Sequence, residues 1–289
     1  LKGFSFTVLI FAAVSLSMVY PQSFIQLGDF QLKKLIVPLL QIIMFGMGTA
    51  MSFNDFYGVI KMPKGVLVGL ICQFSIMPFL GFSLATIFNF PSEIAAGVVL
   101  IGSSPSGLAS NVMAYLAKAN IALSVTLTAV ATIVSPLMTP LLMKYFAGAF
   151  VPIDFVAMML SIVKMVILPV FLGLVFNHFF QGKAKWLENA MPILSMSAIA
   201  LIIMIITAAG RDSLLSIGIL LILAAIIHNL LGYLLGYWSC RVLKMKEHDC
   251  RTIALEVGMQ NGGLASGIAL EMGKVSTVGL APAVFGPWM

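Results

Sequence analysis

Apolar runs of membrane-spanning length recur from one end of this chain to the other, and that recurrence limits the possible fold more than any other feature. Ten can be drawn, at roughly 3–20, 31–53, 65–88, 92–117, 119–146, 153–180, 187–209, 213–240, 250–272 and 275–289. A helix that crosses the hydrocarbon core needs about 20 apolar residues, and the runs are of that order. Strands of a membrane barrel would instead read as alternating segments of about 10 residues, and no such pattern occurs. Only 9% of the 289 residues are charged, against about 25% in an ordinary soluble domain. The expected fold is therefore an all-α polytopic membrane protein with ten transmembrane helices. Short polar breaks such as Lys61-Met62-Pro63-Lys64 and Gln181-Gly182-Lys183 separate the runs and leave no room for a soluble domain. The chain opens on Leu1 rather than methionine, and its last run ends at Met289 without a polar tail. A longer natural chain is expected.

The net charge of +6 reads as loop charge that sets orientation, not as nucleic-acid affinity. With the N-terminus inside, Lys2, Lys61, Lys64, Lys118, Lys183, Lys185, Arg241, Lys244, Lys246 and Arg251 fall on the inner side. Lys33, Lys34, Lys144, Arg211 and Lys274 fall outside. Ten against five places both termini in the cytoplasm. Cys72, Cys240 and Cys250 form no CxxC pair and read as packing thiols. The nineteen methionines are scattered and read as helix packing.

One stretch does not belong in lipid. Glu256 to Gly267 carries an acid, the amides of Gln260 and Asn261, and four glycines. A bare carboxylate is costly in hydrocarbon, and clustered glycines disfavour an unbroken helix. The expectation is a helix that breaks in mid-membrane and turns its carbonyls toward something bound. The fourth run is interrupted too, by Gly102-Ser103-Ser104-Pro105-Ser106-Gly107, and Gly107-Leu108-Ala109-Ser110 there recurs as Gly263-Leu264-Ala265-Ser266 in the ninth. If the chain is two halves of five spans, these runs are equivalent and the second half is upside-down. Two inverted five-helix repeats, with discontinuous helices four and nine crossing at mid-membrane, are the pattern of a transporter with its site at the midplane. GxxxG pairs at Gly65/Gly69 and Gly232/Gly236 allow close helix approach nearby.

The intramembrane polar residues gather at these breaks. The fourth run offers Ser103, Ser104, Ser106, Ser110 and Asn111. The fifth offers Ser124, Thr128 and Thr132, spaced to share one helix face. The third offers Gln73, and the ninth Glu256, Gln260 and Asn261. These are hard oxygen donors with one formal negative charge, a set suited to a desolvated alkali cation such as Na⁺ rather than to a transition metal. Taken singly, Thr132 reads as a hydroxyl bonded to its own helix, Gln73 as a helix bridge, and His228 as a packing residue. Lys164 either snorkels or meets a carbonyl, or attracts an anion. Glu256 has no such ordinary reading. No nucleophile–base pair or GxSxG frame is present, so an enzyme is not expected.

Glu256-Val257-Gly258-Met259-Gln260-Asn261 followed by Gly263-Leu264-Ala265, together with Ser106-Gly-Leu-Ala-Ser-Asn-Val-Met113, resembles the bile acid:sodium symporter family, in particular bacterial relatives of the apical sodium-dependent bile acid transporter. The resemblance covers the whole chain and implies two sodium sites. One would use Ser110, Asn111, Ser124, Thr128 and Glu256. The other would use Gln73, Glu256, Gln260 and the main-chain carbonyls of Val257 and Met259. It implies a panel domain over 1–60 and 150–210 (helices one, two, six and seven). A core domain would span 61–149 and 211–289 (helices three to five and eight to ten). Asn261 and Leu108 become candidates for substrate contact.

The function these readings converge on is a sodium-coupled symporter. It would import an organic anion, a bile acid-like compound or small carboxylate, with two Na⁺ by alternating access. A proton-coupled carrier using Glu256, a channel, or a non-transporting receptor are the alternatives. Expected partners are Na⁺, the organic anion and the lipid bilayer, with no cofactor beyond the coupling ion, no nucleic acid and no obligate protein partner. The expected location is a bacterial inner membrane.

Overall fold

A computed structural model of the protein describes residues 2–180 and 185–289. The polar break at 181–183, with Lys183, lies outside the described residues. The helices used below are α1 (Lys2–Val19), α2 (Ile36–Thr49), α3 (Pro63–Ile87), α4 (Ser92–Ser103), α5 (Leu108–Leu116), α6 (Ile121–Leu142), α7 (Phe155–Ile162), α8 (Leu168–Phe180), α9 (Lys185–Ala209), α10 (Arg211–Val242), α11 (Glu247–Gly258), α12 (Gly262–Glu271) and α13 (Leu280–Trp288). A two-residue antiparallel ladder, Gln26–Leu27 with Phe30–Gln31, turns at Gly28 with φ +58°. The chain is a polytopic all-α membrane protein.

Among the described residues, six helical stretches are long and apolar enough to cross a membrane: Leu32–Thr49, Pro63–Ile87, Ile121–Ala147, Phe155–Phe180, Ala190–Ala209 and Arg211–Val242. The expected tenth span is helical only over Leu280–Trp288. The fourth and ninth runs are each two helices end to end, α4 with α5 and α11 with α12. The first of these breaks follows from proline. Ser104 precedes Pro105, and a residue before proline is pushed out of the helical region. Ser104 is extended, at φ −81° and ψ 150°. At the second, Met259 and Asn261 leave the helical region and the Asn261 side chain caps α12, accepting from the Leu264 N–H at 2.9 Å. Asn is a favoured N-cap because its oxygen satisfies a first-turn amide.

Prolines also mark two π-helical stretches. Met143–Ala147 follows Pro136 and Pro140, and Val163–Ile167 precedes Pro169. Proline lacks an N–H and crowds the carbonyl four residues back, so the ladder shifts register there.

Helix α2 packs against α8 and α9, and α1 packs on α9. Gly48 and Gly173 let α2 and α8 touch through their backbones. A Cβ on Gly48 would lie 2.1 Å from the Val170 carbonyl oxygen. Elsewhere α3, α4, α10, α11 and α13 pack together. Both GxxxG pairs serve close contacts, Gly65 and Gly69 against Leu123 and Leu127 of α6, and Gly232 and Gly236 against the backbone of α11.

Candidate functional site

The two breaks meet each other. Ser106 and Gln260 form an isolated antiparallel bridge, and the Asn261 N–H donates to the Pro105 carbonyl at 2.8 Å. Backbone groups that the breaks release from their own helices are thus partly satisfied across the crossing, as burial requires. Thr139 of α6 donates to the Ser103 carbonyl at 2.8 Å, and Asn229 of α10 donates to the Gly258 carbonyl at 2.8 Å. These two side chains hold the helix ends that flank the crossing.

Glu256 lies at its centre, 3% exposed. Its carboxylate accepts from Ser124 Oγ at 2.5 Å, Ser106 Oγ at 2.6 Å, Ser110 Oγ at 2.7 Å and Thr128 Oγ1 at 2.9 Å. Asn111 Oδ1 is within reach of Ser124 Oγ at 2.8 Å and Thr128 Oγ1 at 3.2 Å. The Gly107 carbonyl lies 2.7 Å from Ser110 Oγ. Each hydroxyl has one proton to give. If all four go to the carboxylate, Asn111 Oδ1 receives none of them, while the Gly107 carbonyl keeps the Ser110 N–H at 3.1 Å. Among the described residues no ion pair involves Glu256. The site is a cluster of hard oxygens around one buried carboxylate, which is donor chemistry suited to a hard cation.

A second cluster lies beside the first. Gln73 Nε2 donates to the Gln260 side-chain oxygen at 2.6 Å and to the Ser104 carbonyl at 2.9 Å. Gln260 Nε2 donates to the Val257 carbonyl at 2.6 Å. Gln73 Oε1 is buried and has no hydrogen-bond partner among the described residues. The hydrogen bonds of Glu256 all run to the first cluster, so the shared carboxylate touches the second only through the chain between Glu256 and Gln260. Met259 is buried in the break itself.

Asn261 and Leu108 come together on the wall of a cavity of about 220 Å³, between the crossing and the helices α2 and α9. Its opposite wall includes Met44, Met47, Ile199 and Ile202. The N-terminal turns of α5 and α12 both line it, through Gly107–Ala109 and Asn261–Gly263.

Some residues weighed in the sequence fall outside the site. Thr132 Oγ1 donates to the Thr128 carbonyl of its own helix at 2.7 Å. His228 is a packing residue whose Nε2 lies 3.1 Å from the Met77 carbonyl. Lys164 has an exposed side chain in the π-helical stretch, and its carbonyl accepts from Gln41 Nε2 at 3.4 Å. Other residues matter more than their spacing suggested. Ser106 is the fourth hydroxyl on Glu256, and only the pairing of the two breaks brings it there. Asn229 had no visible partner in sequence, although it sits one turn before the Gly232/Gly236 contact.

A model of the sodium bile acid symporter family matches residues 37–217. Over 288 residues, 99% of this chain and 87% of the relative, the sequence is 38% identical to the uncharacterized sodium-dependent transporter YocS of Bacillus subtilis (strain 168). It is 34% identical over 265 residues, 87% of this chain and 74% of the relative, to the human ileal sodium/bile acid cotransporter. It is 34% identical to the probable chloroplastic sodium/metabolite cotransporter BASS1 of Arabidopsis thaliana, over 80% of this chain and 58% of the relative. The chain belongs to the sodium bile acid symporter family, a family of sodium-coupled transporters, and is a multi-pass membrane protein.

Proposed function

We propose that the protein is a symporter that imports an organic anion with two Na⁺ by alternating access. One observation carries this reading: a buried carboxylate, Glu256, bonded by four hydroxyls, two of which also reach an amide oxygen, with no side-chain cation in contact among the described residues. A charge taken out of water needs a countercharge. One Na⁺ would lie among Ser110, Asn111, Ser124, Thr128 and Glu256. A second would use Gln73, Gln260, Glu256 and the Val257 and Met259 carbonyls, with the unpartnered Gln73 Oε1 turned to it. The Gln73 and Gln260 amides bond each other and the Val257 carbonyl, so this second ion would have to reorient them.

The cavity at Asn261 and Leu108 is the proposed substrate site. Its wall is largely apolar, and two helix N-termini end there. Helix N-termini favour negative charge, so the cavity suits an amphipathic anion. Relatives named for sodium/bile acid and sodium/metabolite cotransport support that class. In this reading α4–α5 and α11–α12 are the crossed helices of two inverted repeats of five. The core at 61–149 and 211–289 moves against the panel at 1–60 and 150–210. Both termini face the cytoplasm of a bacterial inner membrane.

Two Na⁺ with a monovalent anion carry net positive charge inward. Substrate-dependent ²²Na⁺ uptake into liposomes should therefore occur and rise with an inside-negative potential. Uptake driven by a pH gradient without Na⁺ would decide instead for a proton-coupled carrier. Unitary currents would decide for a channel, and binding without flux for a receptor.

A further inference from the structure

A second concave site lies away from the crossing, at the ends of several helices. It encloses about 640 Å³ and is lined by Lys61, Lys64, Lys244 and Lys246 together with Asn120 and Asp249. Four lysines and one carboxylate line it, and that carboxylate already accepts from Asn120 Nδ2 at 2.7 Å. Lys64 Nζ is held by the Leu243 carbonyl at 2.8 Å, which fixes one wall. The turns that carry the lysines are themselves constrained. Lys244 adopts a left-handed conformation at φ +54°, and Met62 precedes Pro63 at the start of α3. The first turns of α3, α6 and α11 line the same space, so their helix dipoles add to the positive field.

Exposed apolar side chains adjoin the lining lysines in the chain: Ile60 is 78% exposed and Val242 77% exposed, with Tyr57, Trp238 and Leu243 also exposed. These side chains flank the start of the spanning helix α3 and the last turns of α10, where hydrocarbon gives way to headgroups. Loop lysines that only set orientation would need no common cavity, because that effect depends on charge count near the helix ends. Here four of them, from loops about 180 residues apart in sequence, line one bowl next to exposed apolar side chains.

We propose that this cavity binds the phosphate of an anionic lipid headgroup, with the acyl chains along Ile60 and Val242. Basic cavities between membrane helices recognise such headgroups, and each lysine near the surface contributes about fivefold in affinity. The test is native mass spectrometry of the full chain in detergent with phosphatidylglycerol or phosphatidylcholine added. Phosphatidylglycerol should give a saturable adduct and phosphatidylcholine should not. The triple variant Lys61→Gln/Lys244→Gln/Lys246→Gln leaves the structural Lys64 in place and should weaken the adduct by roughly a hundredfold. If that variant fails to fold, Lys61→Gln and Lys244→Gln singly should each weaken it about fivefold. Lys33→Gln/Lys34→Gln, a similar charge loss at the far end of α2, should leave it unchanged. Equal adducts with both lipids, or an unaffected lysine variant, would overturn the site. Saturable binding of pyrophosphate without phosphatidylglycerol would overturn the lipid assignment in favour of a soluble polyanion.

Discussion

Glu256→Gln keeps the shape of the side chain and removes its charge. In the wild type the carboxylate accepts four hydroxyl hydrogen bonds between 2.5 and 2.9 Å. A unit charge about 4 Å from a cation, in surroundings of effective dielectric about 20, is worth about 4 kcal/mol. Part of that is offset, because the carboxylate holds hydrogen bonds that a bound ion must weaken, each worth about 1.5–3 kcal/mol net. The expected net loss is about 2–4 kcal/mol, or roughly 30- to 1,000-fold in sodium affinity. Sodium-dependent thermal shift on purified protein measures it, with ²²Na⁺ binding as a second readout. The glutamine variant should still fold, since its amide can bond the hydroxyls after they rotate. A variant that melts like the ion-free wild type yet binds Na⁺ within threefold of it would refute the central role of the carboxylate.

Ser106→Ala removes one of the hydrogen bonds on Glu256 that a bound ion must weaken, so it should tighten sodium binding, by up to roughly tenfold for about 1.5 kcal/mol, while Thr132→Ala should leave it unchanged; a sodium titration of both separates a hydroxyl on Glu256 from one bonded to its own helix. Asn229→Ala strands the buried Gly258 carbonyl and should cost about 1–3 kcal/mol, read as a lower melting temperature together with a right-shifted sodium titration. Asn261→Asp keeps an N-cap oxygen for Leu264 and puts a negative charge on the cavity wall. Transport of an anionic substrate should fall while the melting temperature holds, and unchanged anion uptake would remove Asn261 from the substrate wall. At one end of the helices, Tyr237 Oη donates to Glu247 at 2.9 Å and Arg251 Nε at 3.1 Å. These bonds, that of Tyr237 foremost, hold the Glu247 carboxyl below its ordinary value of 4.5. A carboxyl depressed by folding stabilises above its unfolded value and loses that contribution as pH falls through the folded one. The melting difference between wild type and Glu247→Gln should therefore be present at pH 7 and close below about pH 4.

The sequence by itself determined that this chain lives in a membrane, because apolar runs of about 20 residues can hide their backbone only as helices there. It also located both breaks. Pro105 and the glycines around Gly262 act on the backbone locally, and a carboxylate at Glu256 in an apolar run announces a site without reference to any neighbour. The hydroxyl face of Ser124 and Thr128 followed from helical periodicity alone. Other features depend on how distant segments meet. Ser106 reaches Glu256, 150 residues away, only because the breaks pair backbone to backbone. Asn229 finds the Gly258 carbonyl only because Gly232 lets α10 close on α11. The four lysines of the basic cavity were a tally of loop charges until tertiary packing gathered them into one bowl. Of the crossing, then, local chemistry wrote the breaks and the charge. The ring of oxygens around that charge was decided by packing, since hydrogen-bond partners across 150 residues leave no periodic trace in a chain.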